Sequence, residues 1–524
     1  MKIISRLNHY KIWLLGILLI ISIGVRLPGV YSPAIRYDEA ITLLETAGNA
    51  RPSWPQKPEL ASTAKNQFKG TPTLSQIAED LRQTDVHPPV YYWILSLWRR
   101  WLGFSIETSR IFSLVCSIGT VVVLYLLLQA GKIERPLVPS LVFAISSGAI
   151  YAGHDARPYA LASLLIGTGT LFAYLASEAK NRNRTRLVVY SIVMAICCGI
   201  AFQTNYLTLF PVSIILLWFL INLWSRSKLL AIASLLVTVS ICLIGFPSFL
   251  KQLGARPGQN VGFIGFLPEI VKILKMNLMI IWTPIFTSIE LNLVFAGIFI
   301  LILIILIGIT ISYIRRYYSQ INRKLLVLFL GLAVAPTIGV MLLDFLSNKN
   351  LISPRYLLFA GPALAVIITY GIARPISSQP RLIKFLLPIF LGLQLTGINW
   401  GLERSPAQGG SNLRSLARTI KASSSSSNVV VVGKGYGRGD PGSAIYELAP
   451  ETMVVVLGED SNLEELEYSI QNYEDIWIIF SQDSKTASIE NNLLNRLQKT
   501  GSYTKVSVQK SAIHLRKRLQ KLRN

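Results

Sequence analysis

The chain reads as a polytopic α-helical membrane protein with a small soluble α/β domain at its C-terminal end. Three observations point there. Of its 524 residues, 52% are hydrophobic and 15% charged, with a mean hydropathy of +0.47, whereas a soluble domain carries about 25% charged residues. Apolar runs of roughly 18 residues or more recur from the N-terminus to about residue 400, the length that crosses a bilayer as a helix. Beyond residue 401 the runs shorten and alternate with polar stretches. This composition argues against a single large soluble enzyme and against a soluble body on one anchor.

The runs place about 11 spans near 11–30, 109–130, 136–153, 157–177, 186–203, 206–224, 228–249, 289–312, 324–346, 355–374 and 381–400. The first follows Lys2, Arg6 and Lys11 without a small-residue cleavage site, so it reads as an uncleaved anchor with the N-terminus inside. With one span between turns, the basic segments 131–136, 180–186, 225–228, 315–324 and 374–381 all fall on the cytoplasmic side. The segments 31–108, 153–157, 203–206, 250–288, 347–355 and everything after about 401 then lie outside. Much of the net charge of +24 is thereby spent on topology, and nucleic acid is not an expected partner.

Residues 88–104 look like a further span, but counting them as one would put every later basic cluster outside. They are also short, about 25 Å at a rise of about 1.5 Å per residue. Val90, Trp93, Ile94, Leu97, Trp98 and Trp101 share one helical face, with Ser96, Arg99 and Arg100 opposite, the pattern of an amphipathic helix in the outer interface. A second such helix is expected within 250–288, with Ile270, Leu274, Leu278 and Ile281 opposite Glu269, Lys272 and Lys275.

The C-terminal part opens with a linker, Ser423 to Ser427. Strands are expected at Asn428–Val432, Met453–Leu457 and Ile476–Phe480, with helices near 462–472 and 487–499. The Gly-rich stretch Gly433 to Gly439 follows a strand but matches neither common nucleotide fingerprint, and reads as a flexible loop. The basic tail Arg516 to Arg523 suits anionic lipid headgroups or plain solvation. Cys116, Cys197, Cys198 and Cys242 all lie in apolar runs without a CxxC pair, and read as packing residues.

Ionisable residues beside the bilayer are the informative ones, and they gather on the outer turns. Arg36, Tyr37, Asp38 and Glu39 follow the first span. The long loop closes on Asp85, His87, Tyr91 and Tyr92. The next outer turn carries Tyr151, His154, Asp155, Arg157 and Tyr159. Asn205 and Tyr206 mark the third, and Lys349, Arg355 and Tyr356 the fifth. Each has a plain structural explanation: a cap for Asp38 and Glu39, a helix start for the prolines after His87, a tight turn for His154 to Arg157, an interfacial anchor for Arg355 and Tyr356. Gathered on one side in very short loops, they favour a site. A carboxylate there can serve as general base toward a hydroxyl. Arginine binds phosphate bidentately, so Arg157 and Arg355, with Lys349, point to a lipid-linked phosphate as leaving group.

Taken in order, these motifs resemble the family 39 glycosyltransferases. That family groups the protein O-mannosyltransferases with the aminoarabinose transferases and belongs to the C-type membrane glycosyltransferases. The resemblance rests on the acidic pair after the first span, His87-Pro-Pro with Tyr91 and Tyr92, the turn from His154 through Tyr159, and Pro354 to Leu357 before a late span. It covers roughly residues 1–400. It implies a C-type glycosyltransferase fold, a catalytic aspartate matching Asp38 beside Glu39, and a second acidic position matching Asp155. It also implies juxtamembrane helices in the first outer loop and a polyprenyl-phosphate sugar donor used at the outer face of a bacterial plasma membrane, with inversion. His87 stands where some relatives carry Lys, as a donor-phosphate contact. Arg36, Tyr37, Tyr91, His154, Tyr159, Asn205, Tyr206 and Tyr356 would shape the substrate site. Some superfamily members hold a divalent metal between two acidic positions, here Asp38 and Asp155; the residues alone leave that cofactor open.

Two rivals remain at this stage. A transporter or flippase of lipid-linked sugars would place its binding groups near the bilayer midplane, whereas the middle spans here are almost uncharged. A membrane sensor or scaffold would work through residues 401–524. The acceptor is not legible from the sequence.

Overall fold

The computed structural model describes residues 9–31, 33–85, 87–179, 184–255, 266–282, 289–316, 322–347, 353–370, 381–396, 410–422, 427–434, 439–458, 461–480, 484–499, 503–509 and 512–517. Two compact units emerge. One comprises 1–31, 85–91 and 109–403; the other comprises 32–84, 92–108 and 404–524.

The first unit is helical. Seven helices among the described residues are long and apolar enough to cross a membrane: Lys11–Tyr31, Ile106–Ala130, Tyr159–Glu178, Arg184–Phe202, Tyr206–Leu223, Lys228–Lys251 and Arg323–Ser347. Gly297–Ser312, Leu358–Thr369 and Leu387–Thr396 are shorter apolar helices. The chain is a multi-pass membrane protein. Its packed interior draws Leu124, Leu128, Val142, Phe143, Tyr174, Met194, Trp218 and Phe329 from many helices. Ile196, Leu217, Ile221, Leu236, Leu243 and Ile244 stay exposed, as hydrocarbon-facing positions should.

One expected span is broken. Residues 136–153 form two short helices, Leu137–Ala144 and Ser147–Ala152. Ser146 adopts an extended conformation and caps the second, its Oγ accepting from Ala149 N–H. Eight residues reach only about 12 Å, far short of a bilayer. An apolar run shows that a segment is buried, not that it is straight. The helix expected within 250–288 forms at Phe266–Ile281, with Ile273, Ile280 and Ile281 buried and Leu274 59% exposed.

The second unit is built on a six-stranded sheet of order β1-β3-β2-β4-β6-β5. Its strands are β1 (Glu59–Leu60), β2 (Asn428–Gly433), β3 (Met453–Leu457), β4 (Asp475–Ile479), β5 (Tyr503–Gln509) and β6 (Ala512–Lys517). β3, β2 and β4 run parallel, linked through helices Gly439–Glu447 and Leu463–Ile470. Parallel strands are covered on both faces, which explains the continuous runs Val429–Val432 and Val454–Leu457, buried throughout.

The sequence puts the soluble domain at 401–524, yet residues 32–84 and 92–108 belong to the same compact unit. β1 pairs antiparallel with β3. Val456 N–H donates to Pro55 O at 2.7 Å and Ala61 N–H to Thr452 O at 2.8 Å. Ala61, Ala64 and Trp54 pack in the same apolar layer as Val430, Val454, Trp477 and Leu448. A strand of two residues has no periodicity to read, so this edge is invisible until the tertiary partner is known.

The segment 88–104 contains the helix Val90–Leu102. Its polar face, not its apolar face, is the one held by protein. Ser96 Oγ donates to Thr46 O at 3.1 Å. Arg99, fully buried, donates to Leu43 O, Thr46 Oγ1, Phe68 O and Phe104 O. Trp101 is 82% exposed, and Ile94, Leu97 and Leu102 are exposed with it.

Candidate functional site

The residues expected at the site fall in both units. In the sheet-bearing unit, helix Tyr37–Ala47 begins at Arg36, whose extended backbone (φ −94°, ψ 160°) makes it the N-cap. Arg36 N–H donates to Glu39 Oε2 at 3.1 Å. This is one half of a capping box; a guanidinium has no acceptor with which to complete the other half. Glu39 is fully buried and serves the cap. Asp38, one residue earlier, is half-buried, and its carbonyl accepts from Thr42 Oγ1 at 3.0 Å. Local structure thus separates two neighbouring acids into a cap and a more accessible carboxylate.

In the helical unit, Asp155 sits in the turn between helices Ser147–Ala152 and Tyr159–Glu178. The turn is tight: Arg157 N–H donates to Asp155 O at 2.7 Å, and Ser113 Oγ donates to the same carbonyl at 2.6 Å. Pro158 starts the next helix, where a fixed φ suits the first turn. Tyr151 OH donates to Asp155 Oδ2. Tyr91 is fully buried; burial raises its phenol well above the ordinary value, so it stays protonated.

His87 ties Arg157 to the segment 85–91 of the same unit. His87 Nδ1 lies 2.7 Å from Asp85 Oδ1, and Arg157 Nη2 lies 3.1 Å from His87 Nε2. Arginine can only donate. Arg157 Nη2 is also 3.4 Å from His87 Nδ1, so the guanidinium lies against the imidazole rather than along one nitrogen's lone pair, and His87 stands between Asp85 and Arg157. Val90 N–H, three residues on, donates to Gln203 O at 3.2 Å and anchors this segment.

His154 is fully buried, its Nδ1 2.7 Å from Ile150 O. A Cβ on Gly29 would lie 2.5 Å from the His154 ring, so that close approach needs glycine. Arg355 stands on the 3-10 turn Pro354–Tyr356, its guanidinium carbon 5.1 Å from the centre of the Tyr356 ring. Tyr159 is 1% exposed. Asn205 caps the turn Tyr206–Thr208 through Leu207 N–H at 3.0 Å. Tyr206 packs on Phe202 and Phe249, both 5.2 Å away between ring centres. Lys349 lies outside the described residues, as do residues 423–426, 435–438 and 518–524.

Asp85, Tyr151 and Ser113 are the partners of the expected residues; of these Ser113, inside a span, carries no signal in a span-and-loop reading. Arg26, fully buried in the first span, donates from Nε to Ser117 Oγ at 3.0 Å and from Nη1 to Ser22 O at 2.8 Å. A charge inside a span is the signal that marks it. Arg110, also fully buried, donates to Val30 O at 3.2 Å. Among the described residues no three His, Cys, Asp or Glu side chains gather to hold a metal ion.

No family model and no curated protein matches the chain. Its backbone is similar to that of ArnT from Cupriavidus metallidurans in the apo state, with a TM-score of 0.53 at 11% identity over 97% of both chains. The same protein bound to undecaprenyl phosphate gives a TM-score of 0.52 at 12% identity, again over 97% of both chains. The chain has the C-type glycosyltransferase fold.

Proposed function

We propose that the protein transfers a sugar from a polyprenyl-phosphate donor to a hydroxyl-bearing acceptor at the outer face of the membrane, with inversion at the anomeric carbon. The observation that carries this reading is the likeness, over nearly the whole chain, to a protein crystallised with undecaprenyl phosphate. In this reading the N-terminus is cytoplasmic and the unit bearing the sheet is extracytoplasmic.

Asp38 accepts the proton of the acceptor hydroxyl. The oxygen attacks the anomeric carbon from the face opposite the phosphate. The bond from that carbon to the phosphate oxygen breaks, its electron pair staying on the leaving polyprenyl phosphate. Arg157, aligned by His87 and Asp85, and Arg355, with Lys349, hold the developing charge. Glu39 caps the Asp38 helix, and Tyr151, hydrogen-bonded to Asp155, shapes the second outer turn.

The test is incubation of the purified protein with a panel of polyprenyl-phosphate sugars, reading out released polyprenyl phosphate. Asp38→Asn should lower release by at least about a hundredfold, the lower end of a general base's contribution, while the protein still inserts. Release at the native rate by that variant would sink the assignment. Arg157→Ala should weaken donor use more than acceptor use.

A further inference from the structure

The expected catalytic residue Asp38 and the C-terminal domain are far apart in sequence, Ile35 and Glu447 by 412 positions, yet they belong to one compact unit. Helix Gly439–Glu447, which follows the central strand β2, packs on the Asp38 helix, Tyr37–Ala47. Gly442 faces Ala40 so closely that an added Cβ would lie 3.3 Å from the Ala40 Cβ. At the far end of the same helix, the Glu447 side chain is 6% exposed. Its Oε1 accepts from the backbone N–H of Ile35 at 2.8 Å. Arg414 holds the same carboxylate from the other side, Nε to Oε2 at 2.8 Å and Nη2 to Oε1 at 3.1 Å. Lys65 donates to the neighbouring Leu448 carbonyl at 2.5 Å. Between these, Tyr446 OH accepts from Ile106 N–H at 2.8 Å.

A buried carboxylate gripped by a two-pronged arginine is fixed in direction. One aimed at a main-chain N–H three residues before Asp38 fixes the entry of the chain into the Asp38 helix. We propose that Glu447, oriented by Arg414, is a positioning residue for catalysis by Asp38, and that the C-terminal α/β domain serves to hold the general base in place. This rests on the assignment of Asp38 made above. Arg36 to Glu39 cap their own helix, and the Glu447 contact ties the residue just before that cap to helix Gly439–Glu447. Misplacing a reacting group by about 1 Å can cost as much as a hundredfold in rate, so a tether of this kind acts on turnover rather than on donor binding.

The experiment uses the full chain in lipid vesicles, with the same panel of polyprenyl-phosphate sugars as donors. Glu447→Ala should lower kcat about tenfold, the equivalent of one charge-assisted hydrogen bond, with donor KM unchanged. Glu447→Gln keeps an acceptor for Ile35 N–H and should stay within about threefold of native. Hydrogen exchange at the Ile35 to Glu39 amides should speed up in Glu447→Ala and not in Glu447→Gln, independently of any turnover. Arg414→Gln, which leaves the acceptor in place but frees it to turn, should fall between the two and keeps the test available if the alanine variant does not fold. Native kcat in Glu447→Ala beside an inactive Asp38→Asn would overturn the positioning role alone. So would equal losses in the Ala and Gln variants, or a rise in donor KM. Native release by Asp38→Asn would overturn the assignment beneath it.

Discussion

Asp155 and Asp475 are both 1% exposed, one in each compact unit, and they are held in opposite ways. Asp475 opens strand β4. Its oxygens meet His514 Nε2 at 2.8 Å, Arg516 Nε at 2.8 Å and Arg516 Nη2 at 3.3 Å. Both partners lie on the adjacent strand β6, with Arg516 directly opposite Asp475 and His514 opposite Trp477. The His514 ring stacks on Trp477 at 4.1 Å and 5°. Sheet register alone delivers this cluster. Asp155, by contrast, is set by Tyr151 from one helix and Ser113 from another, with Arg157 closing its own turn. The Asp475 carboxylate is held by the adjacent strand of its ladder, whereas the Asp155 carboxylate accepts from Tyr151 and its main-chain carbonyl is held by Ser113 and Arg157 N–H.

The comparison can be broken by exchange of roles. Asp155→Asn should cost transfer at least about a hundredfold while the melting temperature stays near native, since the amide oxygen still accepts from Tyr151. Asp475→Ala should do the reverse. It should lower stability by about 2 kcal/mol, a figure held down because Arg516 is 53% exposed and solvated, with native activity per folded molecule. Similar behaviour in the two variants would erase the distinction. Gly29→Ala sharpens it on the helical side: the His154 ring must move, at about 1–3 kcal/mol, read as a lower melting temperature and a loss of activity together. Tyr446→Phe is the mildest, removing one acceptor for Ile106 N–H at about 1 kcal/mol, measured by denaturant midpoint.

The same contrast explains what was legible in advance. Strands β2, β3 and β4 and the long apolar helices follow from local composition, because burial on both faces or in lipid selects continuous apolar runs. Strands β5 and β6 carry Lys505, Arg516 and Lys517 among their apolar residues and gave no such run. The polar residues of the short turns stood out because charge beside a bilayer is costly. One of their partners did not: Ser113 looks ordinary until its helix meets the turn of Asp155. Arg99 reads as the solvated side of an amphipathic helix, yet its guanidinium is enclosed by main-chain carbonyls, since a helical face tells which residues share a side and not which side is covered.

The sequence by itself determined the membrane class, the rhythm of the spans, the three parallel strands and the identity of the polar residues of the short turns. All of these depend on transfer energies and periodicities that are local in the chain. Only the tertiary structure decided that Glu39 caps while Asp38 stays more accessible, that His87 stands between Asp85 and Arg157, and that Glu59–Leu60 adds an edge strand to the C-terminal sheet. Those depend on hydrogen-bond partners brought together from distant segments, and a partner's direction is not written in the residue that receives it.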